Sequence, residues 1–70
     1  MEAYEVKKLD ETRLLNASEV AKILNISRAL AYRLMQQRQI DTVHIRGARR
    51  VRLMDLQKFI IENVIPGENP

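Results

Sequence analysis

The sequence contains no cysteine and a single histidine, so several ways of stabilising a small protein are excluded. Without cysteine there are no disulfides and no thiolate metal ligands. His44 has no second imidazole with which to build a zinc site. We therefore expect neither a metal nor another cofactor. A chain of 70 residues buries only about 60% of the surface that its unfolded form exposes, so the core must be small.

Long apolar runs and catalytic clusters are also missing. No run approaches the ~18 apolar residues that a membrane span requires, and no signal peptide is visible. We expect a cytoplasmic protein with no membrane partner. The chain has no glycine-rich phosphate loop, no paired carboxylates at a working spacing and no Ser–His–Asp set. We therefore expect that it is not an enzyme.

Basic residues are concentrated in one part of the chain. The net charge is only +3, but residues 28–52 contain seven arginines, no lysine and one acid, Asp41. Arginine presents a planar fork that suits phosphates and guanine, whereas lysine presents a point charge. This concentration favours nucleic-acid binding over a solvated basic face. The seven are Arg28, Arg33, Arg38, Arg46, Arg49, Arg50 and Arg52.

Residues 18–37 predict two short amphipathic helices joined by a tight turn. Val20, Ile23 and Leu24 make one apolar stripe, and a second stripe follows at helical spacing after the turn. Asn25 tolerates a left-handed conformation, and Ser27 is a good N-cap. Helices joined so closely must cross steeply, as in a helix-turn-helix. The second stripe consists of Leu30, Ala31, Leu34 and Met35, on a helix predicted over residues 28–38.

The start of the first helix carries a capping signal. Asn16 is the predicted N-cap, and Glu19 three residues later completes a capping box. Leu15 and Val20 occupy the two positions of a hydrophobic staple.

The outward face of the second helix has side chains that suit DNA. Arg33 is the strongest base-contact candidate, because a bidentate arginine–guanine pair discriminates by about 1–3 kcal/mol. Gln36 can read adenine, and Ala29 can touch a thymine methyl group. Arg28 suits a backbone phosphate. Tyr32 has two interpretations, a phosphate or stacking contact and a ring packed beside the hairpin that follows.

Residues 42–53 predict a two-stranded hairpin. Thr42–Ile45 and Arg50–Leu53 alternate polar and apolar residues around a turn at 46–49, whose Gly47 can take positive φ. We expect Val43, Ile45, Val51 and Leu53 on the inner face and His44, Arg50 and Arg52 outside. The arginine-rich tip can reach a minor groove, where the negative potential attracts arginine. A solubilising tip is the alternative.

The 3.6-residue period returns from Met54 to about Ile65 and predicts a C-terminal helix. Ile61 and Ile65 lie partly off its apolar stripe, so either the N-terminal arm or another protein covers them. The predicted divisions are an arm over residues 1–12, frayed or disordered, a DNA-binding domain over 13–65 and a tail over 66–70. The stripe consists of Leu56, Phe59, Ile60 and Val64.

The order of these parts resembles the excisionase-type, MerR-like helix-turn-helix proteins over roughly residues 14–61. The fold expected is mainly α with a small β-hairpin, a winged helix-turn-helix with a two-stranded wing and a C-terminal helix. A departure is Gln39-Ile40-Asp41, where the family often has Gly followed by Leu-Pro or Ile-Pro. The matching segments are Leu14-Leu15, Glu19 to Leu24, Asn25-Ile26-Ser27-Arg28, Tyr32-Arg33-Leu34-Met35, Arg46 to Arg50 and Asp55 to Ile60.

The resemblance implies a recombination directionality factor of a phage or mobile element. Such proteins bind repeated sites in double-stranded DNA cooperatively, self-associate there, bend the DNA and help an integrase to excise the element. Full MerR-type regulators add a dimerising helix and an effector domain, which are not in this sequence, so no small-molecule effector is expected. The DNA-binding positions that the resemblance implies are Ser27, Arg28, Ala29, Tyr32, Arg33, Arg46, Gly47, Arg49 and Arg50; Gln36 and Arg52 join them from the residue patterns.

Other functions stay open from the sequence. A small transcriptional regulator would have the same fold and surface but would act at one promoter without a recombinase. A protein-interaction module would keep the fold without the DNA role, which the arginine concentration disfavours. RNA binding ranks lower because no aromatic platform for stacking bases is evident.

Overall fold

The computed structural model describes residues 13–68, and the predicted N-terminal arm lies outside them. Three helices and three strands follow one another in the order β1, α1, α2, β2, β3, α3. Their bounds are β1 Leu14–Leu15, α1 Ala17–Leu24, α2 Arg28–Gln36, β2 Val43–Ile45, β3 Ala48–Arg52 and α3 Leu53–Glu62. The strands form an antiparallel sheet in the order β1-β3-β2. The winged helix-turn-helix prediction is confirmed.

The N-terminus of α1 has the predicted capping box. The Asn16 side chain accepts a hydrogen bond from the Glu19 N–H at 2.9 Å. In return, the Glu19 carboxylate accepts one from the Asn16 N–H at 2.9 Å. Leu15 and Val20, the predicted staple residues, are both buried in the core. The sequence-based prediction of where α1 begins is therefore confirmed.

Replacing Asn16 with alanine should lower the free energy of unfolding by about 1 kcal/mol, because the Glu19 N–H loses its side-chain acceptor. Urea unfolding followed by circular dichroism measures this change. Ser18→Ala is the matched control, since Ser18 is exposed in the first turn of the same helix and should change stability by no more than about 0.5 kcal/mol. Equal losses in both variants would contradict the capping role.

The turn between α1 and α2 has the predicted chemistry. Asn25 adopts the left-handed conformation with φ 57°, and the Ile26 N–H donates back to the Ala21 carbonyl at 3.0 Å. The Ser27 hydroxyl then caps α2 by accepting from the Leu30 N–H at 3.1 Å. These local contacts fix the short turn between the two helices.

Helix α2 ends at Gln36, two residues earlier than we predicted. Arg38 takes the left-handed conformation with φ 59°, in a place where glycine is usual. The Gln39 N–H donates to the Leu34 carbonyl at 2.9 Å, and the Arg38 N–H donates to Met35 at 3.2 Å. This is the hydrogen-bond pattern of a Schellman motif. The chain then turns inward, so that Ile40 is 1% exposed and forms part of the core.

The hairpin turn is shorter than predicted, and the observed strand register differs from the predicted inner face. The turn has two residues, Arg46 and Gly47, with φ 48° and 86°, as in a type I′ turn. Val43 lies opposite Arg50 and Ile45 opposite Ala48. Opposed residues share a face of the sheet, so Val43 and Ile45 do not share one with Val51.

The predicted inner face of the hairpin was therefore wrong in part. Val51 is completely buried, but Ile45 is half exposed. Leu53 is already the first residue of α3. The predicted two-stranded wing also gains a third strand, because Leu14 pairs with Arg52 and Leu15 with Val51. Strand β3 is therefore paired with a neighbouring strand on each side.

The core lies where α1, α2 and α3 meet the buried face of β3. Leu56 of α3 is completely buried, whereas Phe59, from the same predicted stripe, packs only at the edge of the core. Helix α3 begins at Leu53 and ends at Glu62, three residues before the predicted end, so Val64 and Ile65 are exposed outside it. The buried residues are Leu15, Val20, Ala21, Ala31, Met35, Ile40, Val51 and Leu56.

Candidate nucleic-acid interface

A groove separates α2 from the hairpin. Arg28 and Tyr32 line it from α2, and Arg49 and Arg50 line it from β3. The first turn of α1 closes one side. Residues that lie far apart in the sequence thus share one concave basic surface. Its full lining is Asn16, Ala17, Ser18, Arg28, Tyr32, Met35, Gly47, Arg49 and Arg50.

The outward face of α2 is exposed as the helical period predicted. Ala31 and Met35 are buried on the opposite side, which fixes the rotation of the helix. Tyr32 is 46% exposed and lines the groove between α2 and the hairpin. Its ring therefore lies both beside the hairpin and on the candidate surface, so the two interpretations of Tyr32 do not exclude each other. The exposed residues of the predicted set are Ser27, Arg28, Ala29, Tyr32, Arg33 and Gln36.

The wing places its arginines along β3 and at the tip. Arg46 and Gly47 form the exposed tip, and Arg49 lies opposite His44. The Arg50 guanidinium donates to the carbonyl of Arg49 at 2.8 Å. Open space surrounds the position that a Cβ would take at Gly47, so the positive φ, rather than crowding, favours glycine there.

A family model described as Helix-turn-helix domain matches residues 14–64. The chain belongs to this helix-turn-helix family. No curated protein and no solved structure matches the chain. The family includes excisionase-like DNA-binding proteins, so membership indicates DNA binding. Its members are typically non-enzymatic. Within the matched segment, α1, the Asn25 turn and α2 are the helix-turn-helix, and β2 and β3 are its wing.

Two features of the structure near the helix-turn-helix were not predicted from the sequence. Asn16, Ala17 and Ser18 line the groove, although we considered Asn16 only as a helix cap. The polar residues around the start of α1 were the available signal, but their position opposite the wing depends on the folded hairpin. Arg38 is exposed beyond the end of α2, in a conformation that its sequence neighbourhood did not reveal.

Arg52 lies apart from the other predicted wing contacts. It belongs to a second groove, on which Arg38, His44 and Asp55 also lie. Its guanidinium makes two hydrogen bonds to the Asp55 carboxylate, Nε to Oδ2 at 2.6 Å and Nη2 to Oδ1 at 2.9 Å. The predicted set is therefore divided between two surfaces.

One acid lies close to the basic groove. Glu19 pairs with Arg13 at 2.8 Å. The hydrogen bond from the Asn16 N–H is the largest effect on the Glu19 pKa and lowers it from its ordinary value. Desolvation opposes this effect, and Arg13 and Arg50 each lower the pKa by a smaller amount. Glu19 is therefore ionised at neutral pH and offsets part of the positive field near Arg50.

Residues 13–68 contain neither a candidate metal site nor a candidate membrane-spanning helix. Among residues 13–68, no group of three or more His, Asp or Glu side chains is placed to hold a metal ion. No helix in this part of the chain is both long and apolar enough to cross a membrane.

Proposed function

We propose that this helix-turn-helix protein inserts α2 into the major groove of double-stranded DNA while the wing contacts the neighbouring minor groove or backbone. The single observation that carries the proposal is the basic groove, which brings Arg28 and Tyr32 of α2 together with Arg49 and Arg50 of the wing. A helix about 10–12 Å across fits a major groove about 12 Å wide. Arg33 and Gln36, exposed on the same helix, are then the base-reading side chains.

We propose, more specifically, a recombination directionality factor that promotes integrase-mediated excision of a phage or mobile element. The motif resemblance over residues 14–61 supports this role, and so does the match to a family that includes excisionase-like proteins. One reading helix contacts only a few base pairs, so useful occupancy calls for neighbouring copies on repeated sites. The protein would act with an integrase at the nucleoid of a bacterial host, in the cytoplasm.

A mobility-shift titration on DNA from the element's attachment region tests this role, with circularly permuted fragments to report bending. Stepwise cooperative shifts with position-dependent mobility are expected. A duplex of the same length and composition in scrambled order is the control. A single unbent complex at one promoter would instead support a small transcriptional regulator, and no shift at low salt would contradict DNA binding itself.

Arg49→Ala should weaken binding to all sequences alike, because we assign Arg49 to a phosphate. The slope of log K against log salt should become shallower by about 0.9, the value for one lost phosphate contact. Anisotropy titrations at four salt concentrations on specific and scrambled duplexes measure it. Lys58→Ala is the charge-matched control, since Lys58 lies on α3 and should leave the slope unchanged. A wild-type slope in Arg49→Ala would remove Arg49 from the backbone.

A further inference from the structure

The junction between the wing and α3 has no loop. Strand β3 ends at Arg52 and α3 begins at Leu53. The Leu53 N–H donates to the Arg13 carbonyl at 2.9 Å, and Leu14 is the strand partner of Arg52. The base of the wing is thus held to β1 on one side and continues directly into a helix on the other.

Arg52 and Asp55 join across this junction as a fork. Both carboxylate oxygens of Asp55 accept from the Arg52 guanidinium, at 2.6 and 2.9 Å. Asp55 is 9% exposed and is the only buried charged side chain among the described residues. A two-point contact between planar groups fixes direction as well as distance. The fork therefore spans the point where β3 continues into α3.

The same fork makes Arg52 a poor phosphate ligand. Its charge is matched by Asp55, and the hydrogen bonds and charge of Asp55 raise the Arg52 pKa, to which Asp41 adds a smaller effect. A DNA phosphate would have to compete with a carboxylate that is already in place. Arg52 also lies in the groove with Arg38 and His44 rather than in the one between α2 and the wing.

A small change in the angle at the base of the wing produces a larger displacement at its tip. Gly47 at the tip lies five residues from Arg52, or about 17 Å at roughly 3.4 Å per strand residue. A rotation of roughly 10° at the junction would move the tip by about 3 Å, which is enough to break a hydrogen bond of ordinary length. DNA contacts by Arg46 and Arg49 would then fail although both side chains were intact.

We propose that the Arg52–Asp55 fork is a positioning device that sets the angle of the wing, and that Arg52 acts through the wing arginines rather than on DNA. This inference rests on the proposed DNA-binding function. It makes a prediction opposite to simple electrostatics. Asp55→Asn removes a negative charge, which alone should tighten DNA binding, yet with the fork weakened the wing should bind DNA less well.

The test compares affinities of Asp55→Asn, Arg52→Lys and Asp41→Asn for the duplex that the wild-type protein binds. Asp41→Asn is the matched control, because Asp41 is exposed and carries the same charge. Arg52→Lys keeps the charge on a half-exposed side chain but loses the fork, and it serves if Asp55→Asn unfolds. Binding is measured by anisotropy for those variants that circular dichroism shows to be folded.

We expect Asp55→Asn and Arg52→Lys each to bind about tenfold more weakly, as when one charge-assisted contact is lost, and Asp41→Asn to bind at least as tightly as wild type. Wild-type or tighter binding by folded Asp55→Asn would overturn the proposal. Unchanged affinity in Arg52→Lys would do so too, because lysine preserves a phosphate contact.

A second readout needs no DNA and separates this proposal from the proposed function. Amide residual dipolar couplings report the orientation of β2 and β3 relative to α1 and α2. The orientation should change in Arg52→Lys and Asp55→Asn but not in Asp41→Asn, whereas an unchanged wing in all three variants would overturn the positioning role. If the wild-type protein binds no duplex, the proposed function fails and these couplings still test the fork.

Discussion

Replacing Arg33 with alanine should remove most of the discrimination between a specific and a scrambled duplex. Arg33 is exposed on α2, on the side opposite the buried Ala31 and Met35, and a bidentate contact to guanine is worth about 1–3 kcal/mol. The affinity for specific DNA should therefore fall by about five- to 150-fold, whereas the affinity for scrambled DNA should fall much less. Competition titrations with both duplexes at one salt concentration measure the ratio.

Arg38→Ala is the control for that prediction. It removes the same side chain from an exposed position beyond the end of α2. Any loss in Arg38→Ala should be equal on the two duplexes, because Arg38 lies off the proposed reading face. If Arg33→Ala also weakened both duplexes equally, Arg33 would be a phosphate contact, and Gln36 would be the next candidate for base reading.

Replacing Ile40 with alanine should have the largest effect on stability. Ile40 is 1% exposed between α2 and β2, and removing a buried isoleucine side chain costs about 2–5 kcal/mol. Small domains have little stability in reserve, so this loss can unfold much of the population. Urea unfolding at 25 °C gives the difference in free energy.

Ile61→Ala makes the same chemical change in a different environment. Ile61 is 72% exposed on α3, and alanine is the best helix former, so stability should change by less than about 0.5 kcal/mol. A loss in Ile61→Ala close to that in Ile40→Ala would mean that the exposed face of α3 is covered in solution. A negligible loss in Ile40→Ala would contradict its place in the core.

The predictions that succeeded depend on neighbours within about four residues. The Asn16–Glu19 capping box, the left-handed Asn25 and the Ser27 cap each use a side chain and a backbone group in the same turn. The rotation of α2 likewise follows from its period, which buries Ala31 and Met35. Such signals can be read in a sequence because the interacting groups lie side by side in it.

The predictions that failed concern helix ends and wing pairing. Helix α2 ends two residues early because Arg38 takes a left-handed conformation without glycine. The wing register depends on an Arg46-Gly47 turn, which lacks the Asn-Gly or Asp-Gly signal typical of type I′ turns. The observed register places Val43 opposite Arg50, so Val43 and Val51 lie on opposite faces of the hairpin, although we predicted them on one inner face.

The features that the sequence determined differ from those that required the folded structure for a physical reason. Short-range hydrogen bonds and helical periodicity were sufficient to define the helix-turn-helix and the exposed face of α2. Three features required the folded chain: the pairing of Leu14 with Arg52, the burial of Ile40 and the separation of Arg52 from the basic groove. Each depends on which groups, distant from one another in the sequence, lie together in the folded chain. In the unfolded chain each of these groups has many alternative partners. The packing of α1, α2 and α3 against β3 selects among those partners, and that packing leaves no local pattern in the sequence.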